Sequence, residues 1–139
     1  MTDTFQRHTH PSAPWSRDLF AEVVTVSGPG TTLYLSGIGA EALGDQAGDI
    51  QHIGDVYAQT RLAYEKAAHV LAKHGATLSD VVKITAYLLE ARSLSEYHRA
   101  RREAFQGISP PAHTLLVISA LAWPGMLVEV DLTAVIRRD

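Results

Sequence analysis

Valines cluster from Phe20 to Ser27, and Gly28-Pro29-Gly30 follows as a turn signal. Thr31 to Ser36 then alternates apolar and polar positions as a second strand, so the two runs predict a hairpin. Ser36-Gly37-Ile38-Gly39 ends it, and the polar, glycine-containing residues 39–53 predict a loop. Over Asp55 to His74 the period changes to that of a helix: Val56, Leu62, Ala63, Ala67, Val70 and Leu71 recur on one side. Asp55 stands near the positive end of this helix, and Gly75 fits the cap position after it. Thr77 to Asp80 predicts a short capped turn and Val81 to Leu89 a strand. Ser93-Leu94-Ser95-Glu96 has the spacing of a capping box and opens a second helix to about Gln106. Leu94, Tyr97, Ala104 and Phe105 form its expected apolar stripe. Gly107 stops it, and Pro110-Pro111 prevents a restart. His113 to Ser119 and Met126 to Ile136 read as the last two strands. The prolines and histidines of residues 1–16 suit neither a helix nor a central strand, so this segment is expected to be irregular, with a single domain over 17–139.

The order strand, strand, helix, strand, helix, strand, strand favours an α+β domain with both helices on one face of a sheet. The last strand shows what the other face requires. Val128, Val130, Leu132, Ala134 and Ile136 alternate on one side, an ordinary helix-covered core. Leu127, Glu129, Asp131, Thr133 and Val135 lie on the other, too apolar for open water and too charged for a closed core. A subunit interface with polar groups lining a cleft fits that composition.

Composition narrows the chemistry. The 139 residues contain no cysteine, which excludes disulfides, thiolate nucleophiles and thiolate zinc sites. A net charge of −3 argues against a broad nucleic-acid surface. Arg99, Arg101 and Arg102 are expected on a solvated helix face with Glu96 and Glu103 as partners. His8-x-His10 is a weak metal pair without further ligands nearby, and His69 and His74 do not share a helix face, so no metal site is expected. No apolar run approaches the roughly 18 residues of a membrane span, and the N-terminus has no apolar core of a signal peptide. A cytoplasmic location is expected by default.

Pro110-Pro111-Ala112-His113-Thr114 and Leu127-Val128-Glu129-Val130-Asp131 resemble the two C-terminal strands of the RidA/YjgF family of enamine and imine deaminases. Leu33-Tyr34-Leu35-Ser36-Gly37, Gln59-Thr60, Asp80-Val81-Val82-Lys83 and Ala134-Val135 extend the resemblance in order and spacing over nearly the whole chain. It implies a chorismate-mutase-like fold, a mixed β-sheet with two helices on one face, assembled as a homotrimer around a central barrel with clefts between subunits. It also implies hydrolysis of a reactive enamine or imine (C=N) metabolite without metal or organic cofactor. By position, Glu129 would handle the water and the proton. Ser36 and Gly37 would touch the ligand at a strand end, Thr114 would be a further ligand contact, and Trp15 and Tyr87 would supply aromatic walls. The family's strand usually begins Pro-Ala-Arg-Ser/Thr, with the arginine gripping a substrate carboxylate; here that position is His113. Replacing a bidentate charged contact by a neutral hydrogen bond costs about 1–2 kcal/mol. The expected substrate therefore lacks the usual α-carboxylate or is held differently. Two readings of His113 stay open: an acid–base partner of Glu129, or a satisfied interface histidine in a silent cleft. The corresponding alternatives for the protein are a RidA-like hydrolase with altered substrate choice and a non-catalytic trimer that binds a small metabolite. The family's older ribonuclease and translation-inhibitor labels are disfavoured by the acidic balance. Arg17, Arg61 and Arg92 are candidates to replace the missing clamp.

Overall fold

The computed structural model describes residues 5–9, 11, 13–16, 19–44 and 46–137. A four-stranded sheet carries the fold, in the order β3 (Gly30–Tyr34), β6 (Val128–Arg137), β4 (Val81–Leu88), β5 (Ala112–Val117). β6 runs antiparallel to both of its neighbours, whereas β4 and β5 are parallel, joined through α2 (Leu94–Ala104). Helices α1 (Val56–Ala72) and α2 pack together, and the buried core lies between them and one face of the sheet. Ala63, Tyr64, Ala67 and Leu71 of α1 meet Ile84, Ala86 and Leu88 of β4 and Val128, Val130, Leu132 and Ala134 of β6. The mixed α+β sheet with two helices on one face is the architecture the alternation predicts.

Local signals explain most element ends. The Asp55 side chain accepts the Ala58 N–H at 3.0 Å, the bond of an N-cap. Gly75 follows α1 with φ +76°, the left-handed conformation that stops a helix. Thr77 and Asp80 form a reciprocal capping box around a 3-10 turn, Leu78–Asp80, that feeds β4. Gln59 is fully buried and acts as a structural clamp: its amide donates to the carbonyls of His52 and Gly125, and its oxygen accepts Leu127 N–H.

Several expectations are corrected. Phe20 to Ser27 does not pair with the following strand. Only Val23–Val26 is extended, as β2, and it pairs antiparallel with β1 (Phe5–His8), inside the segment expected to be irregular. The glycine-rich turn carries the chain from one sheet to the other, and β3 pairs with β6 instead. The capping box at Ser93 does not form. Residues Ala91–Ser93 already make a 3-10 turn, so Ser93 has helical backbone (φ −81°, ψ −2°) and makes no side-chain cap bond, which requires an extended cap residue. Leu94, expected in the apolar stripe, is 42% exposed. Arg101, expected in water, is 1% exposed. Arg99 behaves as predicted, pairing with Glu96 at 2.7 Å while its guanidinium lies 3.7 Å over the Tyr57 ring. Among the described residues, no helix is long and apolar enough to cross a membrane.

Candidate active site on the open face of the sheet

The sheet has a second face that the helices do not cover. Strand register places Glu129 opposite Tyr87 and Asp131 opposite Thr85, with Thr114 beside Thr85 on β5. Bridged residues share a face, so Glu129, Asp131, Tyr87, Thr85, Thr114 and Lys83 all project from this one. Tyr87 Oη lies 3.5 Å from an Asp131 carboxylate oxygen, and Lys83 Nζ donates to Thr114 Oγ1 at 2.6 Å. Tyr34 on β3 and Leu116 on β5 are 82% and 45% exposed.

Glu129 is the chemically distinctive group here. It is half-buried and forms no hydrogen bond or ion pair with any described residue. Its carboxyl lies against Gly37: a Cβ there would stand 2.8 Å from Glu129 Cδ and 3.0 Å from both oxygens. The carboxylate occupies the place a side chain at 37 would take, so a larger residue there would push the carboxyl aside. Burial raises the Glu129 pKa, and the negative charges of Glu41 and Asp131 raise it further. Glu41 itself is held in place, accepting Gly39 N–H at 3.0 Å and pairing with Lys66 Nζ at 3.4 Å.

Two cavities flank the strand end at Ser36 and Gly37. One, of about 340 Å³, is lined by Gly37, Glu41, Lys66 and His69; the other, of about 410 Å³, by Thr32, Tyr34, Ser36, Gly37 and His74. Glu129 lines neither, but Gly37 is common to both and touches its carboxyl.

His113 is not part of this constellation. Its register partner is Ile84, a core residue, so it projects toward the helices, on the opposite face from Glu129. The acid–base pair of His113 with Glu129 is therefore corrected: the two side chains are separated by the sheet. His113 Nε2 meets Tyr97 Oη at 2.6 Å, and Tyr97 Oη meets Tyr64 Oη at 2.6 Å. The ring stacks on Phe20, at 6.3 Å between centroids. Burial and the nearby Arg101 charge push the His113 pKa down to about 3, so the imidazole is neutral near pH 7. Trp15 is 71% exposed and packs edge-on against Phe20, which puts it near His113 rather than Glu129. Of the predicted residues, the fold thus brings together Glu129, Gly37 and Tyr87, with Thr114 on the same face; Ser36 adjoins Gly37, and His113 and Trp15 lie apart.

The sequence profile described as Endoribonuclease L-PSP matches residues 10–136. The chain belongs to this family, which is also named for RidA and YjgF. A Rid-family protein of unknown function from Yersinia pestis, YyfB, superposes with a TM-score of 0.82 at 25% identity, covering 94% of this chain and 97% of its own. A YjgF-family protein from Mycobacterium tuberculosis, also 25% identical, has a TM-score of 0.63 and covers 94% and 98%. An uncharacterised Streptomyces coelicolor protein is 28% identical over 96% of this chain and 95% of its own length. A RutC family protein of Pyrococcus abyssi is 33% identical over 58% of this chain and 62% of its own.

Within this Rid-family subunit the candidate replacement arginines are engaged elsewhere. Arg61 pairs with Glu103 at 2.7 Å and Arg92 with Glu90 at 2.7 Å, while Arg17 lies outside the described residues. The open face supplies Lys83 instead. It pairs in register with Thr133, four residues along β6 from Glu129, roughly 13 Å away at strand spacing. Sequence reasoning gave no site role to Lys83, which closes the Asp80-Val81-Val82-Lys83 run, or to Glu41, which sits in no motif. His8 Nε2 meets Thr25 Oγ1 at 3.3 Å, and His10 lies outside the described residues. Among the described residues no three metal-ligating side chains gather.

Proposed function

We propose that the protein is a RidA-like hydrolase that deaminates a reactive enamine or imine, with Glu129 as its acid–base group. The observation that carries this reading is the unpartnered, half-buried Glu129 carboxyl held against Gly37, with a raised pKa. A raised pKa lets a carboxyl hold its proton to higher pH, which suits acid–base work. Imine hydrolysis adds water to the C=N carbon and delivers a proton to nitrogen; the carbinolamine then collapses to a carbonyl compound and ammonia. Glu129 takes the proton from water and returns it to the leaving nitrogen. Tyr87 provides the aromatic wall, and Ser36 and Gly37 provide backbone contacts. The uncovered face, with Tyr34 and Leu116 exposed on it, is the interface of a homotrimer, and the reaction cleft lies between subunits. A substrate carboxylate is not anchored by His113, which faces the helices.

The test is ammonia release from imines generated in situ from a panel of amino acids and from amines without a carboxylate. Acceleration over buffer, lost in Glu129→Gln, is expected. No acceleration for any member would sink the deaminase reading.

A second reading, a non-catalytic trimer that binds a small metabolite, is favoured by the Lys83 placement: the open-face cation and Glu129 are too far apart in one subunit to serve one small substrate. It predicts ligand-induced thermal stabilisation that Glu129→Gln leaves intact. The family's endoribonuclease label is weighed against a net charge of −3, and strong salt-sensitive RNA binding would restore it.

A further inference from the structure

On the helix-covered side, the subunit buries a charge that it does not balance. Arg101 of α2 is 1% exposed, and its Nε and Nη2 have no hydrogen-bond partner. The ion pairs among the described residues involve Arg61, Lys66, Arg92 and Arg99, and no acid pairs with Arg101. Its surroundings are the phenols of Tyr64 and Tyr97 and the rings of His98 and His113. These histidines do not neutralise it: burial and the Arg101 charge push their pKa values down to about 4 and about 3. Guanidinium keeps its proton in proteins, so it cannot escape the burial penalty by neutralising. An unpaired buried charge of this kind is strongly destabilising unless something pairs with it.

The two unpartnered nitrogens are informative. Nε–H and Nη2–H point in parallel from one edge of the guanidinium, the fork that matches the two oxygens of a carboxylate. Next to Arg101 opens a cavity of about 370 Å³, whose lining includes Arg101, Arg102, Phe105, Gln106, Ile108 and Pro110. No acidic side chain lines it, and its volume is that of a small-molecule site.

We propose that this cavity is a second ligand site, for a small organic carboxylate clamped by the Arg101 fork. Arg102 adds positive charge, while Phe105, Ile108 and Pro110 cover the ligand's apolar body. Both fork nitrogens are closed to water, so binding includes a side-chain movement, which the long arginine stem permits. The site is on the opposite side of the sheet from Glu129 and does not depend on the function proposed for that residue. An inorganic oxyanion would satisfy the fork but leave the apolar lining uncovered, so the carboxylate with a hydrocarbon body is favoured.

Thermal unfolding of the full chain at constant ionic strength tests this, with butyrate, inorganic phosphate and chloride as probes. Butyrate should raise Tm saturably and chloride should not. Arg101→Met should unfold at a higher temperature than the parent without ligand and lose at least about tenfold in butyrate affinity, one charge-assisted contact's worth. Glu129→Gln should keep the whole butyrate effect. No butyrate-dependent rise, an equal rise in Arg101→Met, or a rise that vanishes in Glu129→Gln overturns the proposal. A response to phosphate alone overturns the carboxylate assignment. If Arg101→Met does not fold, the Arg101 Nε–H resonance of the parent protein decides: butyrate must shift it, and an unmoved signal rejects the site.

Discussion

The two faces of the central sheet are built from the same four strands and treat their histidine and carboxyl groups differently. On the helix side, Tyr64, Tyr97 and His113 form a hydrogen-bond chain with both hydroxyls satisfied, and these three groups stay neutral, leaving Arg101 as the buried charge there. Each hydroxyl has one proton to give, so the chain closes in either direction, with the His113 tautomer setting which. On the open side, among the described residues, Glu129 has no hydrogen-bond or ion-pair partner and Asp131 only a long contact to Tyr87. Satisfied buried polar groups rigidify a core. An unsatisfied carboxyl touching a residue that lines two cavities is what the proposed acid–base role asks for. The difference teaches that a perturbed pKa alone does not mark a site: the His113 pKa is pushed far down, yet its perturbation belongs to packing.

The largest expected effect concerns Glu129. If the open face is the reactive one, Glu129→Gln lowers turnover by about a hundredfold or more, the usual worth of a positioned acid–base group, measured as steady-state ammonia release. The same substitution should stabilise the fold at neutral pH. A carboxyl whose folded pKa is raised penalises the folded state once it ionises, so the gain is present above the folded pKa and disappears as pH falls below the unfolded value. Urea unfolding at pH 7 and pH 4 compares the two.

Gly37→Val should come next. Its branched side chain enters the space of the Glu129 carboxyl and displaces it, with a loss of about tenfold or more in kcat from misplacement. The Tm should change far less than activity does. Equal losses of stability and activity would argue that Gly37 serves the fold alone.

His113→Phe tests the other face. It removes the Tyr97 partner and should cost about 1–3 kcal/mol of stability, read by chemical denaturation, while leaving turnover within about twofold. The pH response should also change. Because the folded pKa of His113 lies near 3 rather than its ordinary 6.5, the unfolded chain binds a proton that the folded chain refuses. Stability therefore falls as pH drops below 6.5, and His113→Phe should flatten that slope. A large drop in turnover at full stability would return His113 to the active site.

Asp131→Asn has a smaller, directional effect. Removing a neighbouring negative charge lowers the Glu129 pKa, so the limb of the pH–rate profile governed by Glu129 moves to lower pH. Leu94→Gln is the smallest: at a 42% exposed position, the change in stability should stay within about 0.5 kcal/mol.

The comparison also explains which features were readable before the structure. α1 was legible because its apolar repeat and its Asp55 and Gly75 ends all agree. Arg101 was not, because a charged residue on an amphipathic helix is ordinarily solvated, and only the packing of α2 against α1 turns it inward. β1 escaped notice because four residues with arginine and histidine carry no strand pattern; pairing with β2 alone makes them extended.

By itself the sequence determined the two faces of β6, since Val128, Val130, Leu132 and Ala134 differ sharply in polarity from Glu129, Asp131 and Thr133. It also placed a glycine where Glu129 needs room. The facing of β5 belonged to the tertiary structure. Ala112 to Val117 has no polarity contrast between alternate residues, so its orientation follows from parallel register with β4, where His113 falls beside Ile84. A period-two pattern assigns faces only when the two sets of residues differ; where they do not, the neighbouring strand decides.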